Sequence, residues 1–138
     1  MTVPPAGTVV ALEDATTAFE EVIKLNPKVL EARIQLSQLH LLRSNPQLAL
    51  QYAEEAANLA TDNAPAHLVL ARALTANGDA KRAEAVLKVL IADAPKAGAV
   101  HAALGEVMLL RGDTAAAKKA FDQALAFDPS SLDALRGL

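Results

Sequence analysis

A spacing of 34 residues recurs along this chain and constrains its fold more than any other feature. Pro27, Pro95 and Pro129 fall on that lattice, with Thr61 in the vacant slot. Gly78 and Gly112 share the spacing, each followed by Asp (Asp79, Asp113), and Ser44-Asn45 holds the same place one unit earlier. Ala15, Ala49, Ala83 and Ala117 form another register, Phe19, Ala53, Leu87 and Phe121 a further one, and His67 matches His101. So many registers at one period mean internal repeats, and units of this length cannot bury an apolar face except by stacking on their neighbours.

Each unit reads as a helix, a tight turn, a second helix and a stop. In the last one, His101, Leu104, Gly105 and Met108 recur at helical spacing, Gly112-Asp113 interrupts, and Ala117, Phe121, Ala124 and Leu125 resume. Glycine suits the left-handed cap of a helix, Asp is a good N-cap for the next one, and Pro129 cannot continue a helix. No useful stretch alternates with period two, so strands are not indicated.

Composition narrows the function classes. Hydrophobic residues are 52% of the 138 but aromatics only 3%, so Ala, Leu and Val carry the apolar content. Small side chains on this scale fit closely packed helices. The net charge is −3, and no run of Lys or Arg interleaved with aromatics marks a nucleic-acid surface. Without cysteine, disulfides and thiolate metal sites are excluded. No apolar run reaches the roughly 18 residues of a membrane span. Met1 to Val10 has no positive charge and contains Pro4, Pro5 and Gly7, so it does not read as a signal peptide.

The repeat residues resemble the tetratricopeptide repeat family, whose pattern runs bulky residue, Leu-Gly, large residue, turn Gly, Ala, aromatic, Ala and Pro. The stretch 98–131 meets nearly all of it through His101, Leu104-Gly105, Met108, Gly112, Ala117, Phe121, Ala124 and Pro129. Stretch 64–97 follows with His67, Leu70-Ala71, Leu74, Gly78, Ala83, Leu87, Leu90 and Pro95, and 30–63 is the loosest, with Arg33, Leu36-Ser37, His40, Ala49, Ala53, Ala56 and Thr61. The reading divides the chain into a non-repeat segment 1–11, the second helix of a partial repeat 12–29, three full repeats, and a truncated first helix 132–138. The resemblance implies an all-α fold, a right-handed α-α superhelix or solenoid, with first helices lining a concave face that holds a protein or peptide partner. Ala- and Leu-rich arrays of this kind look bacterial in style and often serve cell-envelope or secretion assemblies; the compartment stays open.

Counted from each unit's start, the inward positions are Ile34, Gln35, Gln38 and Leu41, then Leu68, Val69, Arg72 and Thr75, then Ala102, Ala103, Glu106 and Leu109. They are expected to lie clear of the packing between helices, as a largely apolar contact patch. Gln38, Arg72 and Glu106 form a polar row at one level, and the plain reading pairs Arg72 with Glu106 at the surface, a contact worth little. The clamp of chaperone-binding members is missing, because its places carry Ile34, Gln38, Val69, Ala99 and Ala103. The Asn ladder of members attached to sugar transferases is missing too, with Gln35, Val69 and Ala103 in its places. An apolar or amphipathic helical segment is therefore the expected guest, bound weakly for want of Trp and Tyr anchors.

The histidines read as packing residues: His67 and His101 share the bulky slot, and His40 stands where Leu74 and Met108 stand. No pair of them has zinc-ligand spacing. The carboxylates Glu20-Glu21 and Glu54-Glu55 read as solvated helix surface. Ser37, Ser44, Ser130 and Ser131 have no nucleophile context, and no phosphate-cradling glycine loop occurs. The expectation is a non-catalytic interaction scaffold without cofactor or metal, one section of a longer array. Two rivals stand beside it: a recognition arm of a larger enzyme, and a module that self-associates through Leu132, Leu135 and Leu138 of the terminal half-helix.

Overall fold

Eight α-helices follow one another in the computed structural model, which describes residues 6–138, with side-chain environments from residue 11 onward. No strand occurs among the described residues. The helices are α1 (Ala6–Leu25), α2 (Leu30–Leu42), α3 (Pro46–Leu59), α4 (Ala64–Ala76), α5 (Ala80–Asp93), α6 (Gly98–Leu110), α7 (Thr114–Phe127) and α8 (Leu132–Gly137). First helices thus begin at 30, 64, 98 and 132, on the 34-residue lattice. The helix α1 starts at Ala6, six positions before the second-helix pattern begins at Leu12. Residues 1–5 of the expected non-repeat segment lie outside the described residues.

The turn inside each pair is built from one backbone device. Asn45, Asp79 and Asp113 each donate N–H to a carbonyl five residues back, on His40, Leu74 and Met108, at 2.8–3.0 Å. This Schellman closure needs a left-handed residue just before it. Gly78 and Gly112 supply it at φ 81° and 79°, and Ser44 is forced into it at φ 59°. The Asp that closes one helix also opens the next: Asp79 Oδ1 accepts from Arg82 N and Asp113 Oδ1 from Ala116 N. The second helix stops, and the longer turn between pairs begins, where Pro95 or Pro129 forbids another helical residue.

A further recurrence ties the first helix of each full repeat to the turn ahead of it. His67 Nε2 meets Thr61 O at 2.6 Å and His101 Nε2 meets Pro95 O at 2.7 Å. Arg33, at the same place in the first full unit, donates to Pro27 O. The bulky slot therefore fills space and also satisfies a carbonyl on the proline lattice, a role its apolar surroundings alone do not announce.

Packing follows from the small residues. Ala71, Ala83 and Ala117 are buried, and a Cβ on Gly105 would lie 2.6 Å from the Phe121 ring. One cluster runs from Ile34 through Val69, Leu74 and Leu87 to Val107, and a second gathers Ala102, Ala117, Phe121, Ala124 and Ala134. Ser37, wholly buried, donates its hydroxyl to Ala49 O at 2.7 Å and so pins α2 to α3. Successive first helices pack on one another (α2 on α4, α4 on α6, α6 on α8), whereas no two second helices do so among the described residues. The stack therefore curves toward the first helices, giving a helical solenoid with an inner face.

Candidate functional site: the inner face of the first helices

The same curvature that makes an inner face also buries part of it. Ile34, Val69 and Ala103 lie in the long core cluster, and Ala102 packs beside Phe121, all four at most 4% exposed. This corrects the expectation that the twelve inward positions escape the core. First helices touch along the concave side, so residues at the seam between them are shared by both. Gln35, Leu41, Leu68, Arg72, Thr75 and Glu106 are half-buried, while Gln38 and Leu109 are exposed. These eight form the accessible strip.

The polar groups of the strip are largely occupied within the fold. Gln35 Nε2 donates to Glu31 at 2.7 Å, and the Thr75 hydroxyl donates back to Ala71 O at 2.8 Å. Arg72 does not pair with Glu106. Its Nη2 reaches Asp133 Oδ2 at 3.0 Å, past α6 and onto α8. The reason is geometric: curvature brings the start of α8 within reach of one long side chain from α4. Burial pushes the Glu106 carboxyl above its ordinary range, the Arg72 charge works against this, and the Asp133 charge adds to it.

The remaining candidates have structural explanations. His40 is 4% exposed and stacked on Tyr52 with ring centroids 5.6 Å apart. Its pKa is lowered by burial and by the Arg43 charge, with Glu20 opposing. His101 packs against Phe127 at 5.3 Å. Glu55 is not simply solvated, since it accepts from Arg33 Nε at 3.2 Å, and Glu54 faces Arg82 at 3.6 Å. Glu84 is held below its ordinary range by a hydrogen bond from Lys88 and the charge of Arg111. Among the described residues, no group of three or more His, Asp and Glu side chains is placed to hold a metal ion. No described helix is long and apolar enough to cross a membrane.

Comparison with known proteins places this geometry. The chain superposes on MamA with a TM-score of 0.74 at 20% identity, covering 99% of this chain and 82% of that one. A thermophilic TPR protein of Thermus thermophilus gives 0.79 at 22%, covering 94% and 73%. YrrB, described as a TPR protein with an unusual peptide-binding site, gives 0.75 at 18%, covering 94% and 66%. At these identities the likeness establishes the fold. No curated protein matches the chain. Two tetratricopeptide repeat profiles match its sequence, one over residues 12–67 and the other over residues 40–107. With the 34-residue lattice, the helix pairs and these matches in agreement, the chain belongs to the tetratricopeptide repeat family.

Proposed function

We propose that the chain is a non-catalytic scaffold that holds a segment of a partner protein along the inner face of its first helices. The observation that carries this reading is the strip itself. Leu41, Leu68 and Leu109 keep accessible apolar surface on the curved side, flanked by Gln38, Arg72 and Glu106. An amphipathic helix or an extended apolar segment matches such a strip, because its apolar side chains cover the leucines while its polar edge stays hydrated. With no Trp or Tyr in the strip, affinity for an isolated peptide is expected on the order of micromolar, or about −8 kcal/mol. That YrrB is described as a TPR protein with a peptide-binding site supports a peptide as the class of guest.

The test captures partners from a lysate on the native chain and on matched variants. Leu68→Glu with Leu109→Glu places charge on the inner strip, and Val89→Glu, at a residue of α5 that is 63% exposed, is the outer control. Val69→Glu is unsuitable because it would put a carboxylate in the core. A partner held by the native chain and the control but lost by the inner variant supports the reading. A partner held equally by all three overturns it.

A second reading is self-association through α8, favoured by Leu132, Leu135 and Leu138, each more than half exposed. Its signature is a mass in solution that rises with concentration and falls back on Leu135→Glu. Mass independent of concentration removes it.

A further inference from the structure

Arg72 and Asp133 are 61 residues apart in sequence, and α6 packs between the helices that carry them. Their contact is half-sheltered, with the two side chains 31% and 40% exposed. Glu106, on the intervening α6, makes no ion pair among the described residues, although the Arg72 charge acts on it. One guanidinium therefore stands before two carboxylates. It serves Asp133 through Nη2, while its Nε is sequestered from water with no hydrogen-bond partner. A buried donor left unmade is costly, and the edge of a guanidinium that carries Nε is well shaped to receive a carboxylate. Glu106 is a group of that kind, at the matching position one repeat on, on the helix packed against α4.

We propose that Arg72 is a two-position strap: on Asp133 it fastens α8 to the inner face, and on Glu106 it releases α8. The state of Glu106 then sets how firmly α8 docks. A cationic side chain laid against Glu106 leaves Arg72 to Asp133 and tightens α8. A carboxylate that takes Arg72 for itself loosens it. This device is a property of the chain alone and does not depend on the binding reading above.

Hydrogen exchange of the full chain reads it directly, at the α8 amides of Leu135 and Leu138, which donate to Ser131 O and Ala134 O. For a partly exposed pair, Arg72→Met and Asp133→Asn are each expected to speed exchange by about two- to five-fold. Asp133 also lies in the first turn of α8, where a carboxylate favours the helix by itself. A double-mutant cycle removes that contribution, because it persists when Arg72 is absent. The double variant should therefore be less than additive. Glu106→Gln removes the competing station and should slow α8 exchange by about two-fold, an effect that disappears in the Arg72→Met background. Arg72→Lys, which keeps the charge and loses the fork, should also lose sensitivity to Glu106→Gln; it serves if the methionine variant does not fold. Strictly additive singles, or exchange unchanged or faster in Glu106→Gln, overturn the strap.

Discussion

Replacing Gly105 by Ala sets two effects of similar size against each other. An alanine inside a helix is favoured over glycine by about 1 kcal/mol. Against this, the new Cβ would stand 2.6–2.8 Å from three carbons of the Phe121 ring, where ordinary contact begins near 3.4 Å. The ring has to move by well over half an ångström, and it is fully buried. Nor can it retreat toward α8, because Gly137 also lies tight against the tip of the ring, where a Cβ would clash with Cζ, Cε1 and Cε2. Overpacking of this kind costs about 1–3 kcal/mol. The net expectation is a loss of about 1 kcal/mol, or roughly 3–5 °C in Tm for a chain of this size.

Thermal unfolding by circular dichroism measures it, alongside the double variant with Phe121→Leu. That pair has a precedent within the chain. One repeat earlier, the same two positions carry Ala71 and Leu87, both fully buried in one cluster. The smaller helix residue goes with the larger ring, and the larger one with leucine. Gly105→Ala should therefore cost stability beside Phe121 and become neutral or favourable beside Leu. A single variant more stable than the native chain by the whole alanine gain would refute the reasoning, since the ring would then have yielded freely.

Two further outcomes follow from local conformation and charge. Ser44 occupies the left-handed position that Gly78 and Gly112 fill elsewhere, so Ser44→Gly relieves about 1–2 kcal/mol of strain against about 0.5–1 kcal/mol of added chain entropy; urea unfolding should show a small gain, and a loss of stability would contradict the turn geometry. His40 has a folded pKa below its unfolded value, chiefly through burial. Its contribution is complete above the unfolded value of about 6.5 and is lost as pH falls through that value toward the folded one, because the unfolded chain then binds the proton first. His40→Leu, which installs the residue found at Leu74, should flatten stability between pH 7.5 and 5.5; an unchanged slope would assign the pH dependence to other groups.

Periodicity alone determined the helix pairs, their stops and their turns. Those features are written in short-range chemistry: a proline without an N–H, a glycine at positive φ, an aspartate capping the next helix. The close approach at Gly105 was legible for the same reason, as the smallest of the small residues Ser37, Ala71 and Gly105 at one repeat position. The inner strip was legible only in outline. Helical spacing puts Ile34, Val69, Ala102 and Ala103 on the same side as Leu68 and Glu106, but the depth of each depends on how steeply the stack curves. Curvature is the sum of many small rotations between neighbouring pairs, and no single residue encodes it. The partner of Arg72 was hidden for the same cause. A lattice of 34 pointed to Glu106, whereas bending brought Asp133 into reach from two repeats away. The sequence by itself determined which elements form and how they alternate; the tertiary structure alone decided which of their side chains the shared curvature buries, pairs or leaves open, because burial and long-range contact are properties of the whole stack.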